Sequence, residues 1–264
     1  MTDKICKEII KSFNNYVDTF RDNKGNLHPM QQLKLTHTMH VVKNAKNIMR
    51  GEGWNAEDAP TGEVVAILHD IGRFPQFAEF GTFRDSESID HAERGIEVIE
   101  KLNILNNATF GTATRITDAI RWHNKKAVPD RQGSETTALA HLIRDADKLD
   151  IFRVMETAVK DGSIENNPEI TWGLDIKGAP NPELVESILA SKAVKYDLIK
   201  GLADFILIQI GWIISGFHYD TALRIVKERN VIKFRRAFLR TLTDDSAIDR
   251  CCDMAEETVN RVKN

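Results

Sequence analysis

The chain has 264 residues, 42% apolar and 28% charged, with a formal net charge of -3 at pH 7. That is the balance of a folded protein with a sizeable core, and it excludes a globally basic surface of the kind that takes up a nucleic-acid backbone. Three cysteines, Cys6 and the adjacent Cys251 and Cys252, make neither a disulfide framework nor a zinc-knuckle spacing and fit a reducing compartment.

The N-terminal stretch MTDKICKEIIKSF carries charges throughout and lacks the apolar core of a signal peptide, so a cytoplasmic location is expected. Ile5, Ile9, Phe13, Tyr16 and Phe20 recur at steps of three and four, which predicts an amphipathic first helix ending near RDNKGN. A second helix is predicted over Leu33 to Met49, with Leu33, His37, Val41, Ala45 and Ile48 on one face. After a loop, Pro60 opens the helix that carries the apolar run VVAIL. Gly72 to Ser88, rich in Phe and Gly, reads as irregular; Phe74, Phe77, Phe80 and Phe83 recur in steps of three, but Pro75 and Gly81 interrupt a helix there.

Helical patterns resume at 91–102, 112–122 and 135–159, with a loop over 124–134 between the last two and a looser region over 161–183. Further helices are expected at 184–190, 198–215, 220–229, 233–242 and 247–262. The most apolar stretch, Phe205 to Phe217, falls short of the roughly 20 residues a membrane span needs and reads as a central buried helix. The basic run Val226 to Arg240 reads as an amphipathic helix with a solvated charged face; a contact between copies of the chain, and hence a homo-oligomer, is the alternative use of it. The expected fold class is all-α, one helical body over 1–264 with no flexible linker.

Eight histidines punctuate these helices. His37 lies on an apolar face; His69 and Asp70 end an apolar helix; His91 opens one helix and His123 closes another; Asp147 sits among Ala146, Leu149 and Phe152. Histidines and carboxylates converging from separate helices are what a first-row metal ion needs, but spacing alone does not single out the ligands.

The combination LKLTHTMHVV, AILHDIGRF and LIRDADKLD resembles the HD-domain superfamily of helical metal-dependent phosphohydrolases, over roughly residues 30 to 155. The resemblance implies an HD-like catalytic core there, with residues 184–264 as a helical extension packed on it. It points to His37 and not His40, to the doublet His69-Asp70, and to Asp147 and not Asp145 or Asp150. Its two-metal subgroup adds His91, with Gly95 four residues on, and His123. The implied cofactors are one or two divalent ions (Mn, Fe, Co, Mg, Ni or Zn), with two favoured and Asp70 as the bridge.

The activity implied is hydrolysis of a small phosphorylated substrate, such as a nucleotide, by metal-activated water. Arg73 is expected to contact phosphate and Arg84 to approach it, whereas Lys148 reads as solvated and Arg144 as paired to a nearby acid. No nucleic-acid polymer and no membrane is expected as a partner. The alternative of the same fold is a mixed-valence di-iron oxygenase cleaving a C–C or C–P bond. Cyclic-dinucleotide hydrolysis fits less well, because Asn124 follows His123 and no Gly-Tyr-Pro triplet occurs.

Overall fold

The computed structural model describes residues 1–129, 133–165, 167, 169–170, 173–191 and 196–262; the loops expected at 124–134 and 161–183 lie partly outside them. The fold is all-α. It forms two compact units, Met1–Asp150 and Ile151–Asn264. No helix among the described residues is long and apolar enough to cross a membrane.

The first unit contains α1 (Asp3–Asp18), α2 (Pro29–Gly51), α3 (Ala59–Leu68), α4 (Arg73–Phe80), α5 (His91–Lys101), α6 (Phe110–His123) and the start of α7 (Ser134–Lys160). Local signals set the helix starts. Pro29 begins α2, where its missing N–H costs nothing, and Asp90 caps α5 by accepting from the backbone N–H groups of Ala92 and Glu93. The helix α3 packs against α1, α2 and α6. Its run Val64 to Leu68 is buried on every side, which accounts for a sequence apolar all round rather than along one stripe. Burying α3 in this way carries its C-terminal end, and with it His69 and Asp70, into the interior.

One expectation fails in part here. Of the stretch Gly72 to Ser88 read as irregular, residues 73–80 form α4. Pro75 falls in the first turn, where no intrahelical N–H bond is lost, and Gly81 stops the helix at φ 69° with its N–H on the carbonyl of Phe77. Both residues that argue against a helix from sequence are helix-end devices. Phe74 is fully buried against Phe13 and Phe20 and Phe77 lies against Phe83, whereas Phe80 is exposed, so the steps of three do not mark one packed face.

The second unit holds the rest of α7 with α8 (Pro182–Leu189), α9 (Leu202–Ser215), α10 (Asp220–Glu228), α11 (Val231–Arg240) and α12 (Ser246–Arg261). As expected, α9 is buried along nearly its whole length; it packs on α8, α11 and α12. Asn230, at φ 54°, divides α10 from α11 between the two helices expected at 220–229 and 233–242, but the basic face of the run is not uniformly solvated as expected. Arg235 is fully buried, its guanidinium donating to Gln209 and to the carbonyls of Val231 and Phe152 and lying 4.4 Å from the Phe152 ring centre. Its neighbour Arg236 pairs with Asp253 and Glu256 on α12.

Candidate metal centre

Six residues from five places in the first unit meet: His37 from α2, His69 and Asp70 just after α3, His91 from the start of α5, His123 from the end of α6, and Asp147 from α7. All but Asp147 are buried. Asp70 is the centre. Its Oδ2 is 3.7 Å from Nε2 of both His37 and His69, and its Oδ1 is 3.4 Å from Nε2 of His91 and 3.9 Å from that of His123. Asp147 Oδ1 lies 3.1 Å from His37 Nε2. The carboxylate of Asp70 thus faces two imidazole pairs with two different oxygens.

The other ring nitrogen of each histidine faces an acceptor. Nδ1 of His37 meets Asp150 Oδ2 at 2.7 Å, that of His69 the Ala66 carbonyl at 2.8 Å, that of His91 Asp85 Oδ2 at 2.6 Å, and that of His123 the Ile120 carbonyl at 2.6 Å. Each acceptor favours a proton on Nδ1, so the neutral rings of His69, His91 and His123 turn their Nε2 lone pairs inward, while His37, between Asp147 and Asp150, also carries a proton on Nε2 until a cation displaces it. Two consequences follow. His69 Nε2 is buried with no hydrogen-bond partner, and the Nε2 atoms of His91 and His123 stand 3.0 Å apart, lone pair to lone pair. Buried acceptors arranged this way are costly unless a cation sits among them. These donors fit a divalent metal.

The electrostatics agree. Burial alone would raise the Asp70 carboxyl, but Lys34, His69, Arg73 and His91 around it hold it well below the usual carboxylate range. Burial lowers His91 and His123 to about 4, so both are neutral at working pH. His37 goes the other way: burial works against its charge, but its hydrogen bonds to Asp147 and Asp150 win and raise it to about 9.

A metal ion must displace that His37 proton, so affinity should climb about tenfold per pH unit from neutral pH toward about 9 and flatten above it. Calorimetry near neutral pH in buffers of different ionisation enthalpy should show one proton released per chain from His37; no release would contradict this reading.

Among the other sequence candidates, Arg73 is held through one end of its guanidinium. Its Nη1 donates to Gln76, to the Phe83 carbonyl and to Asp85, and its Nε is 3.5 Å from Asp70 Oδ1. Arg84 is not drawn into the cluster: its Nη1 pairs with Glu87 at 2.6 Å. His40 stays outside, bonded to the Thr36 carbonyl. One reading is corrected: Lys148 is not solvated but tucked 3.8 Å from Asp145. Arg144 Nη1 caps the end of α6 by donating to the carbonyls of Trp122, His123 and Lys125.

Sequence reasoning missed Lys34 and Asp85; Asp150, one of the two aspartates flanking Asp147 that could orient a ligand or face solvent, is the partner of His37. Lys34 Nζ is 3.1 Å from Asp70 Oδ2. Asp85 ties His91, Arg73, Gln76 and Asn124 together. Removing an acceptor of this kind frees the ring it orients. Asp85→Ala and Asp150→Ala should each weaken metal binding by about 10–100-fold with the helical circular dichroism intact; unchanged affinity in both would mean the rings are held by something else.

Residues 35–151 match the family model for the HD domain. This segment is an HD domain. The match covers all six clustered residues and Asp150. No curated protein and no solved structure matches the chain. In the HD domain found here the His-Asp doublet is the point where two imidazole pairs meet one carboxylate.

Gly72 explains why the doublet is followed as it is. A Cβ at Gly72 would lie 2.2 Å from the His91 carbonyl oxygen and 2.5 Å from the Gly95 nitrogen. The start of α4 therefore rests directly on the backbone of α5, and that close approach sets His91 beside Asp70.

Proposed function

We propose that the chain is a metal-dependent phosphohydrolase, a phosphatase or phosphodiesterase for a small phosphorylated substrate, and that it holds two divalent ions. The observation that carries this reading is the convergence of inward-facing Nε2 atoms on the two oxygens of Asp70. His37, His69, Asp70 and Asp147 would hold one ion, and Asp70, His91 and His123 the other. Ions so placed lower the pKa of bound water and act as Lewis acids toward phosphoryl oxygens.

The chain's own residues do the rest. Asp85 and Asp150 keep two of the rings in the tautomer that binds metal, and Arg73, clamped by Asp85 and the Phe83 carbonyl, adds a fixed positive charge beside Asp70. Asp147 and Lys34 keep side-chain exposures of 23% and 20%, more than the buried histidines beside them, and would face an entering substrate. A small ester fits this approach better than a polymer, and the chain's net charge of -3 supplies no broad basic track.

The test is a panel of phosphomonoesters and phosphodiesters assayed with protein reconstituted with manganese, cobalt, magnesium or iron. Phosphate release that depends on metal and is lost in Asp70→Asn supports the reading. Oxygen consumption with the iron-loaded protein, and no release from any ester, would move the assignment to the di-iron oxygenase.

A further inference from the structure

Two cations stand at Asp70, and they are not equivalent. Arg73 is fixed by four partners, among them a backbone carbonyl and the carboxylate of Asp85. Lys34 has two: Asp70 Oδ2 at 3.1 Å and the face of the Phe83 ring at 5.2 Å. It sits one helical turn before His37 on α2, so its stem rises on the same face as that ring. Its side chain is 20% exposed, against 13% for Arg73. An ammonium on four methylenes can swing away from one carboxylate oxygen at little cost, whereas a forked guanidinium with several partners cannot. Lys34 also precedes the segment that matches the HD family, so the family pattern assigns it nothing.

The oxygen that Lys34 holds is the one facing His37 and His69. Lys34 and a metal ion at that imidazole pair therefore compete for the same oxygen, and two cations cannot share it at contact distance without strong repulsion. We infer that Lys34 is the displaceable cation of this site: metal binding releases its ammonium from Asp70 Oδ2, and the released ammonium is the residue that contacts the anionic oxygens of a phosphate-ester substrate. Arg73, which the sequence reading favours for that contact, is the positioning residue. Phe83 gives the freed ammonium an aromatic face to rest against. The proposal rests on the metal-binding reading above.

The experiment compares the full-length chain, Lys34→Met and Lys34→Arg, each stripped with chelator and titrated with manganese by calorimetry. The metal-loaded proteins are then titrated with inorganic phosphate. Removing the competing charge should tighten manganese binding in Lys34→Met by about tenfold. It should also lower the Tm of the chelator-treated variant and weaken phosphate binding by about tenfold, because Asp70 and then phosphate lose their partner.

Lys34→Arg keeps the charge and should stay within about threefold of the unaltered chain for manganese. Manganese affinity unchanged or weaker in Lys34→Met, or phosphate affinity unchanged, overturns the role of Lys34 while leaving the metal site standing. Failure of the unaltered chain to bind any metal overturns the reading beneath it. Circular dichroism of both variants guards against a folding defect.

Discussion

Asp70→Asn should lower metal affinity by about a thousandfold, well beyond the about 10–100-fold that loss of an outer hydrogen bond costs. Asparagine keeps the size of the side chain but offers one carbonyl oxygen in place of two anionic ones. Asp70 faces His37 and His69 with Oδ2 and His91 and His123 with Oδ1, so the neutral amide fails both pairs at once. The protein should still fold, because of the two cations at Asp70 Lys34 is partly exposed and Arg73 keeps its pairing with Asp85, and an amide is less costly to bury than a carboxylate. Calorimetric titration with manganese, beside thermal unfolding of the chelator-treated variant, separates the two effects. Retained tight binding would mean that Asp70 is a structural acid and that the metal ligands lie elsewhere.

Gly72→Ala should be the most damaging single methyl group in the first unit. The added carbon would meet two backbone atoms, the His91 oxygen at 2.2 Å and the Gly95 nitrogen at 2.5 Å, and neither can move without shifting α5. Overpacking ordinarily costs about 1–3 kcal/mol, and a clash with backbone belongs at the top of that range, about 3 kcal/mol. At this chain length that is a Tm lower by about 10 °C. The same shift takes His91 away from Asp70, so metal affinity should fall together with stability, unlike in Asp85→Ala. A Tm within about 2 °C of the unaltered chain would show that α4 and α5 part without strain and that their contact does not set the site.

These two residues show what the sequence reveals and what it hides. Asp70 is legible because a His-Asp doublet at the end of an apolar helix is costly without a partner, and because His37 and Asp147 stand in order on either side of it on helices of clear period. Gly72 is legible only as a break; its function depends on the backbone of α5, which is close in space and distant along the chain. The segment around Pro75 and Gly81 misleads for a related reason, since residues that break a helix interior are the same residues that begin and end one.

Residues that hold the ligands are the least visible. Asp85 lies in a segment without periodicity, and Asp150 is one of three aspartates in a six-residue stretch, distinguished only by its 2.7 Å contact with His37. Lys34 reads as an ordinary lysine until Asp70 is placed beside it. In the second unit, Arg235 and Arg236 are adjacent and chemically identical, yet one is buried against Gln209 and the other pairs with acids of α12. Which side of α11 faces inward is decided by its packing on α9 and α12, and the period of α11 alone does not fix that.

The central claim is that the imidazoles around Asp70 hold divalent metal. Its most direct test is metal content per chain on protein purified without added metal or chelator, with electron paramagnetic resonance on the same sample. The account predicts about two ions per chain, with manganese, cobalt, zinc, magnesium or iron in a single oxidation state, and near-complete loss in Asp70→Asn. No metal in the purified protein and none after reconstitution would contradict it.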